Sequence, residues 1–383
     1  MVTVADIVRG EGKRYLERWV ATPVQHRAMH DIACCGTAAM GIVAQRCEHC
    51  EAEYWLYCSC RNRSCPSCGG KARQKWLEAH RQEILPVEYL QVVFTAPAEL
   101  NVLAWYCPEA VYDAVIRAGA QSVIEVGRSK LHVQLGCQAH LQTWAQSLAF
   151  HLHTHCVVPC GGFSEDGSGW VSFEPSDLPR KALRNRFRSL LCEGIRAAAE
   201  QGKLAGLPAT ISVEHLLAIV KNRKWRVYAE RPFGGVEKLL AYLARYTYRV
   251  AITNDRIESY EDHQVTFRWR NYRRNEEKPL TLDGVEFVRR FLRHVPPKRF
   301  VRIRSYGFLG NRNHRTNLER ARQLIGKAQP TAPSPEPFRS LRLCPACFAT
   351  SGKAPRPPFA PAPYAVSQLP FTLRPPPIYP VAA

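Results

Sequence analysis

Apolar side chains recur at three- and four-residue steps through the start of the chain, at Ala5, Ile7, Val8, Tyr15, Leu16 and Trp19, which predicts helix over residues 1–30. A cysteine-dense block from Cys34 to Cys68 breaks this period, and helix is predicted again from Ala72 to about Ile84. Tyr89-Leu-Gln-Val-Val-Phe-Thr95, closed by Pro97, reads as a strand. Helical stretches then lead to Leu131-His-Val-Gln-Leu135 and to His151-Leu-His-Thr-His155-Cys-Val-Val158, whose alternation reads as a half-buried strand. That strand ends in Pro159-Cys-Gly-Gly162, and Asp166-Gly167 marks a hairpin before Trp170-Val-Ser-Phe173. Helix is predicted over 180–203, strands at 209–214 and 224–230, and a helix after Gly234-Gly235. Short strands at 249–254, 256–260 and 264–270, a helix at 283–294 and a strand at 300–304 complete the pattern. Beyond about residue 328 the composition turns to Pro, Ala and Ser, as in Arg374-Pro-Pro-Pro-Ile378, too little apolar surface to fold alone, so a disordered tail is expected.

Two of these elements carry chemistry. On a strand, alternate side chains share a face, so His151, His153 and His155 can converge on one divalent cation. His153 and His155, next to the apolar Val157-Val158, are the favoured pair, with His151 a third ligand or a phosphate contact. Such an open site would polarise and orient a phosphate, and imidazole nitrogens there tolerate magnesium or manganese. On the helix after Gly235, a wheel of roughly 100 degrees per residue puts Val236, Leu239, Leu240 and Leu243 on one face. Lys238, Arg245 and Arg249 lie opposite, and Tyr242 and Tyr246 fall on the seam between the two faces. A phenol beside cations is suited to attack a phosphate, with Lys238 or Arg245 stabilising the phenolate and the developing oxyanion.

The charge narrows the partner. The 383 residues carry a net charge of +20, with basic residues in Lys221-Asn-Arg-Lys-Trp-Arg226, Arg268-Trp-Arg270 and from Arg289 to Arg322, which points to a polyanion. No apolar run is long enough to span a bilayer, and Asp6, Arg9, Glu11 and Lys13 interrupt any secretory signal, so a cytoplasmic, nucleoid-associated protein is expected. In that compartment clustered cysteines are metal ligands more often than disulfides. Cys47-Glu-His-Cys50 and Cys65-Pro-Ser-Cys68 form two knuckles with zinc-ribbon spacing, expected to hold a structural zinc through four thiolates. Cys34, Cys35, His49, Cys58 and Cys60 are spare candidates, and Cys344-Pro-Ala-Cys347 is a lone knuckle left unassigned.

Several collinear motifs resemble the two-tyrosine HUH transposases of rolling-circle insertion sequences. They are Ser59–Cys68, Val92–Asn101, the histidine strand to Gly162, Tyr228–Gly235, Tyr242–Asn254, Val265–Arg270 and Phe300–Arg312, within residues 30–326. The resemblance implies an α+β fold: an N-terminal zinc-ribbon-like domain, then an HUH-type nuclease domain whose antiparallel sheet carries the histidines and whose helix carries the nucleophiles. It implies Tyr242 and Tyr246 as nucleophiles, His153 and His155 as metal ligands, and a 5′-phosphotyrosine intermediate formed on single-stranded element ends or target DNA. Leu152 stands where the family usually has Pro, Thr154 where it has an apolar residue, and Ser64 and Tyr248 where a His is common. A third metal ligand at position 248 would thus be missing, leaving Glu, Gln or water for that place. The expected domains are 1–80 (zinc-binding, DNA-contacting), 85–326 (catalytic) and 327–383 (tail). A plasmid replication initiator or relaxase would share the chemistry, and a non-catalytic zinc-containing DNA-binding regulator would not.

Overall fold

The computed structural model describes residues 1–46, 53–68, 80–230, 239, 242, 250–271 and 276–326. It opens with helices α1 (Val4–Arg18) and α2 (Pro23–Cys34), in place of one helix over 1–30. The break falls at Trp19–Thr22 because Thr22 caps α2, accepting from the Gln25 amide, with Pro23 at the first helical position. An antiparallel pair, β1 (Ile42–Arg46) and β2 (Glu53–Tyr57), comes before β3 (Tyr89–Thr95). Most of the helix expected from Ala72 lies outside the described residues. Helices α3 (Asn101–Tyr106) and α4 (Pro108–Val126) lead to β4 (Val133–Gln134), β5 (Gly136–Trp144), β6 (Phe150–Pro159), β7 (Gly161–Ser164) and β8 (Trp170–Ser172). Then come α5 (Arg180–Glu200), α6 (Val213–Lys221), β9 (Arg226–Glu230), β10 (Ile257–Glu261), β11 (Gln264–Asn271) and β12 (Glu276–Asp283). Last are α7 (Gly284–Leu292), β13 (Ile303–Gly307) and α8 (His314–Ile325).

The central element is a five-stranded antiparallel sheet in the order β13-β5-β6-β3-β9, with the histidine strand β6 in the middle. One face is apolar. Leu90, Val92 and Phe94 of β3, with Leu152, Thr154, Cys156 and Val158 of β6, are fully buried or nearly so. They pack on α4 and α5 in the larger core, where the Phe94 and Phe187 rings lie 4.9 Å apart. The fit is tight at Gly119 of α4, where an added Cβ would stand 2.4 Å from the Thr154 Cγ2. The opposite face is lined by polar side chains of the same strands and holds the candidate site.

A second core joins α1 and α2 to α7 and the β10-β11-β12 sheet through Ile7, Val8, Phe267, Phe287 and Phe291. The turn between β5 and β6 reaches into this core through Trp144 and Leu148, so the histidine hairpin bridges both. His294 pins the junction: its Nε2–H donates to the Leu148 carbonyl at 3.1 Å and its Nδ1 accepts from Thr143 at 3.1 Å. A smaller cluster of Leu85, Phe163, Phe308 and Leu318 seats α8 on the β4-β7-β8 sheet. The strand expected at 209–214 is instead loop and the start of α6, because Ser212 caps a helix that buries Leu217 and Val220. No strand forms over 250–253 among the described residues, and β12 appears where none was predicted.

Candidate metal and nucleophile site

The polar face follows from strand periodicity. Gln142 pairs with His153, His140 with His155, Thr95 with His153 and Val93 with His155, so these side chains share one side of the sheet. His153 and His155 are both buried, with ring centroids 4.9 Å apart. His151 is exposed. Between the pairs Gln142–His153 and Trp144–Phe150, one residue of β5, Thr143, faces two of β6, His151 and Leu152, so a bulge falls here and takes His151 out of the regular alternation. Its ring still lies 4.9 Å from that of His153.

Each of the two buried imidazoles is held at Nδ1. The Nδ1–H of His153 donates to the His151 carbonyl at 2.8 Å, which fixes the tautomer with its lone pair on Nε2. The Nδ1 of His155 lies 2.5 Å from the Gln91 side-chain amide and 3.3 Å from the Tyr242 hydroxyl. A divalent cation fits this pair: His153 offers Nε2 directly, and the Nε2 of His155 is the second donor once the Gln91 amide, which donates to Nδ1 here, turns its oxygen to the ring. Among the described residues, no third histidine, cysteine or carboxylate joins the pair at ligand distance.

Tyr242 is helical and half-buried, and Leu239 of the same stretch is 1% exposed. The structure thus brings together Tyr242, His155 and His153 of the residues singled out in the sequence. Tyr246, Lys238 and Arg245 lie outside the described residues. Gln91 and His140 were missed. Gln91 carried a faint signal, one amide in an otherwise apolar strand. His140 is buried opposite His155 with its Nε2 2.9 Å from Gln138, and burial, with Arg302 and His80 nearby, holds its pKa down to about 3.

The cysteines form a second cluster. Cys35 at the end of α2, Cys60 after β2, and Cys65 and Cys68 in the following turns place their Sγ atoms within 4.8 Å of one another. Cys68 Sγ lies 3.5 Å from both Cys35 Sγ and Cys60 Sγ. Hydrogen bonds from Cys35, Cys60 and Cys65 push the Cys68 thiol well below its ordinary value. Arg61 turns the backbone at φ 54, and Asn62 accepts the Cys65 amide on its carbonyl at 3.0 Å, shaping the loop between the ligands. Four convergent thiols are a full tetrahedral set. Cys65 and Cys68 are therefore gathered as expected, whereas Cys47 and Cys50 lie outside the described residues and two of the spare cysteines stand in the set.

A polar sheet face with paired histidines, a phenol against them and a four-cysteine cluster together define a DNA-processing class of protein, and comparison with known proteins makes this specific. A family model described as "Transposase zinc-binding domain" matches residues 7–96, and one described as "Putative transposase" matches residues 136–317. The chain is 40% identical over 368 residues to "Putative transposase y4qJ" of Sinorhizobium fredii, covering 90% of this chain and 92% of that protein. It is 26% identical over 307 residues to the transposase for insertion sequence element IS801 of Pseudomonas savastanoi pv. phaseolicola, covering 79% of this chain and 74% of that protein. The conjugative relaxase TrwC in complex with oriT DNA is matched with 13% identity and a TM-score of 0.22 over 40% of this chain and 70% of that one, a likeness too slight to argue from. The chain belongs to the family of insertion-sequence transposases with an N-terminal zinc-binding domain, as the sequence motifs implied. Its α+β architecture with an antiparallel sheet and an N-terminal cysteine cluster agrees with that placement. No helix among the described residues is long and apolar enough to cross a membrane.

Proposed function

We propose that this transposase nicks and rejoins single-stranded DNA at the ends of a rolling-circle insertion sequence through a tyrosine-linked intermediate. The observation that carries the reading is the Tyr242 hydroxyl 3.3 Å from a ring nitrogen of His155, itself next to His153 on a buried polar face. Nε2 of His153 and of His155 would hold a magnesium or manganese ion, and His155 would then carry its proton on Nδ1. The Gln91 side-chain NH2 that faces Nδ1 in the structure would then turn aside, and the Nδ1–H would donate to the Tyr242 oxygen 3.3 Å away, which favours the ionised, nucleophilic phenol. The bound cation would polarise the scissile phosphate and orient it for in-line attack.

Tyr242 forms the new O–P bond to the 5′-phosphate while the bond to the 3′-oxygen breaks. The phenolic proton leaves to solvent and the 3′-oxygen takes one up. Because one phosphodiester replaces another, attack by a 3′-hydroxyl reverses the step without ATP. Tyr246, four positions further along the sequence, would hold the second strand, and Lys238 and Arg245 would steady the phosphate charge. The exposed His151 would contact phosphate rather than ligate. Zinc in the Cys35, Cys60, Cys65 and Cys68 set is structural: four thiolates leave no open position for substrate. The domain division at about residues 80 and 327 and a place in the bacterial cytoplasm near the nucleoid belong to the same reading.

The test is an incubation of the full chain with manganese and single-stranded oligonucleotides spanning the element ends. An adduct that survives SDS is expected from the wild type, is reduced in Tyr242→Phe or Tyr246→Phe, and is absent from the double variant. A double variant that still forms the adduct would remove the tyrosines from the reaction. Persistent duplex binding with no adduct on any end would favour a non-catalytic regulator instead.

A further inference from the structure

A groove apart from the histidine face has the chemistry of a single-strand platform. It encloses about 470 Å³ between the α1–α2 junction, the end of α3 and the C-terminal half of α7, and among the described residues no carboxylate lines it. Trp19, Trp105 and Tyr106 remain 46%, 49% and 50% exposed there, large aromatic surfaces that a packed core would have covered. Each tryptophan has a guanidinium over its ring: Arg289 at 5.3 Å from the Trp19 centroid and Arg293 at 4.7 Å from that of Trp105. Arg289 is neutralised by Glu286 at 2.5 Å, but among the described residues Arg293 has no carboxylate partner in ion-pair range. Burial and the charge of Arg289 lower the pKa of Arg293, so an anion at this position would relieve it. Lys298 adds a further cation at the rim.

We infer that this groove is a binding site for single-stranded DNA, with bases stacking on Trp105, Tyr106 and Trp19 and phosphates meeting Arg293 and Lys298. Exposed aromatic faces interleaved with cations accept any base, because stacking reads no hydrogen-bond pattern. A duplex keeps its bases stacked on one another and has none to offer. Phe150 lines the groove and is the residue before His151 at the start of β6. A strand lying in the groove is thereby led to the edge of the histidine face, so the platform would hold the nucleotides that flank the scissile phosphate. This placement rests on single-stranded DNA being the substrate. The charge of the groove favours a polyanion over a proline-rich or apolar peptide, which could use the aromatic surfaces but not the cations.

Fluorescence anisotropy of the full, zinc-loaded chain with labelled oligodeoxythymidylate of about 15 nucleotides, without added manganese or magnesium, tests the site. Trp105→Ala should weaken binding roughly tenfold and Trp105→Phe by no more than about twofold, since phenylalanine keeps a stacking face. Arg293→Gln should lower the slope of log affinity against log salt by about 0.7, the loss of one phosphate contact on a single strand. Circular dichroism and the thermal midpoint establish that each variant is folded. Unchanged oligodeoxythymidylate affinity in folded Trp105→Ala and Arg293→Gln overturns the inference, and so does an equal loss for a blunt duplex. The readout is equilibrium binding, so failure of the tyrosine chemistry leaves this result intact, and failure here leaves the adduct assay intact.

Discussion

Gln91 places its amide nitrogen 2.5 Å from His155 Nδ1, and this contact leaves Nε2 as the ring nitrogen that would face a cation. Gln91→Leu keeps the volume and removes the partner. Manganese affinity should fall by about 10- to 100-fold while the thermal midpoint stays nearly unchanged. An unaltered affinity, measured by titration calorimetry, would show that the amide plays no part in ligation. The zinc set is also decided residue by residue. Cys35→Ser and Cys60→Ser should each release zinc and destabilise the N-terminal region, while Cys47→Ser retains one zinc per chain by elemental analysis. The reverse ranking would return the site to the two spaced knuckles. At this scale the sequence was informative about residue types and poor about partners. His153, His155 and Tyr242 stand out by spacing alone. Gln91 and Cys35 reach the clusters from 64 and 33 positions away, by strand pairing and by the end of α2, and no local pattern records that.

Among the elements, the β5–β6 hairpin is fixed by what its turn touches. His294 lies between Thr143 and Leu148, stacked on Phe150 at 6.0 Å, and burial holds its imidazole pKa down to about 4. An unfolded chain binds this proton near pH 6.5 and the folded chain does not until near pH 4, so the unfolded state takes up more protons between those values. Stability is therefore full above about pH 6.5 and falls as the pH drops through that window. The loss at pH 5 should be about 2 kcal/mol from this residue. His294→Gln should flatten the dependence by that amount in denaturant melts at pH 7.5 and 5; an equally steep loss in the variant would place the acid sensitivity elsewhere. Strong alternation made β3 and β6 readable from sequence. Residues 209–214 misled because Thr210, Ile211 and Val213 are β-formers, and the deciding residue is the cap Ser212 with buried Leu217 and Val220 beyond it. β12 was invisible since Glu276-Glu277-Lys278-Pro279 reads as loop, and Pro279 is tolerated because β12 is an edge strand in the order β10-β11-β12.

For the molecule as a whole, two cores meet at the histidine hairpin, and the N-terminal helices share the second of them with β10, β11 and α7. That joins the start of the chain to residues more than 240 positions away, as in the Glu11 contacts with Tyr260 and His263 at 2.7 and 2.6 Å. Composition gave the polyanion through its net charge of +20, and collinear motifs gave the family, but neither shows that the N-terminal helices pack on β10, β11 and α7. In the proposed reaction Tyr242 becomes covalently joined to a 5′-phosphate. Peptide mass spectrometry of the trapped adduct tests it most directly, using an oligonucleotide labelled at its 3′ end. The expected result is the added nucleotide mass on the peptide carrying Tyr242 and Tyr246, together with the 3′ label, and loss of both in His155→Ala. Nucleotide mass on any other peptide, or an adduct holding the 5′ portion of the strand, would contradict it.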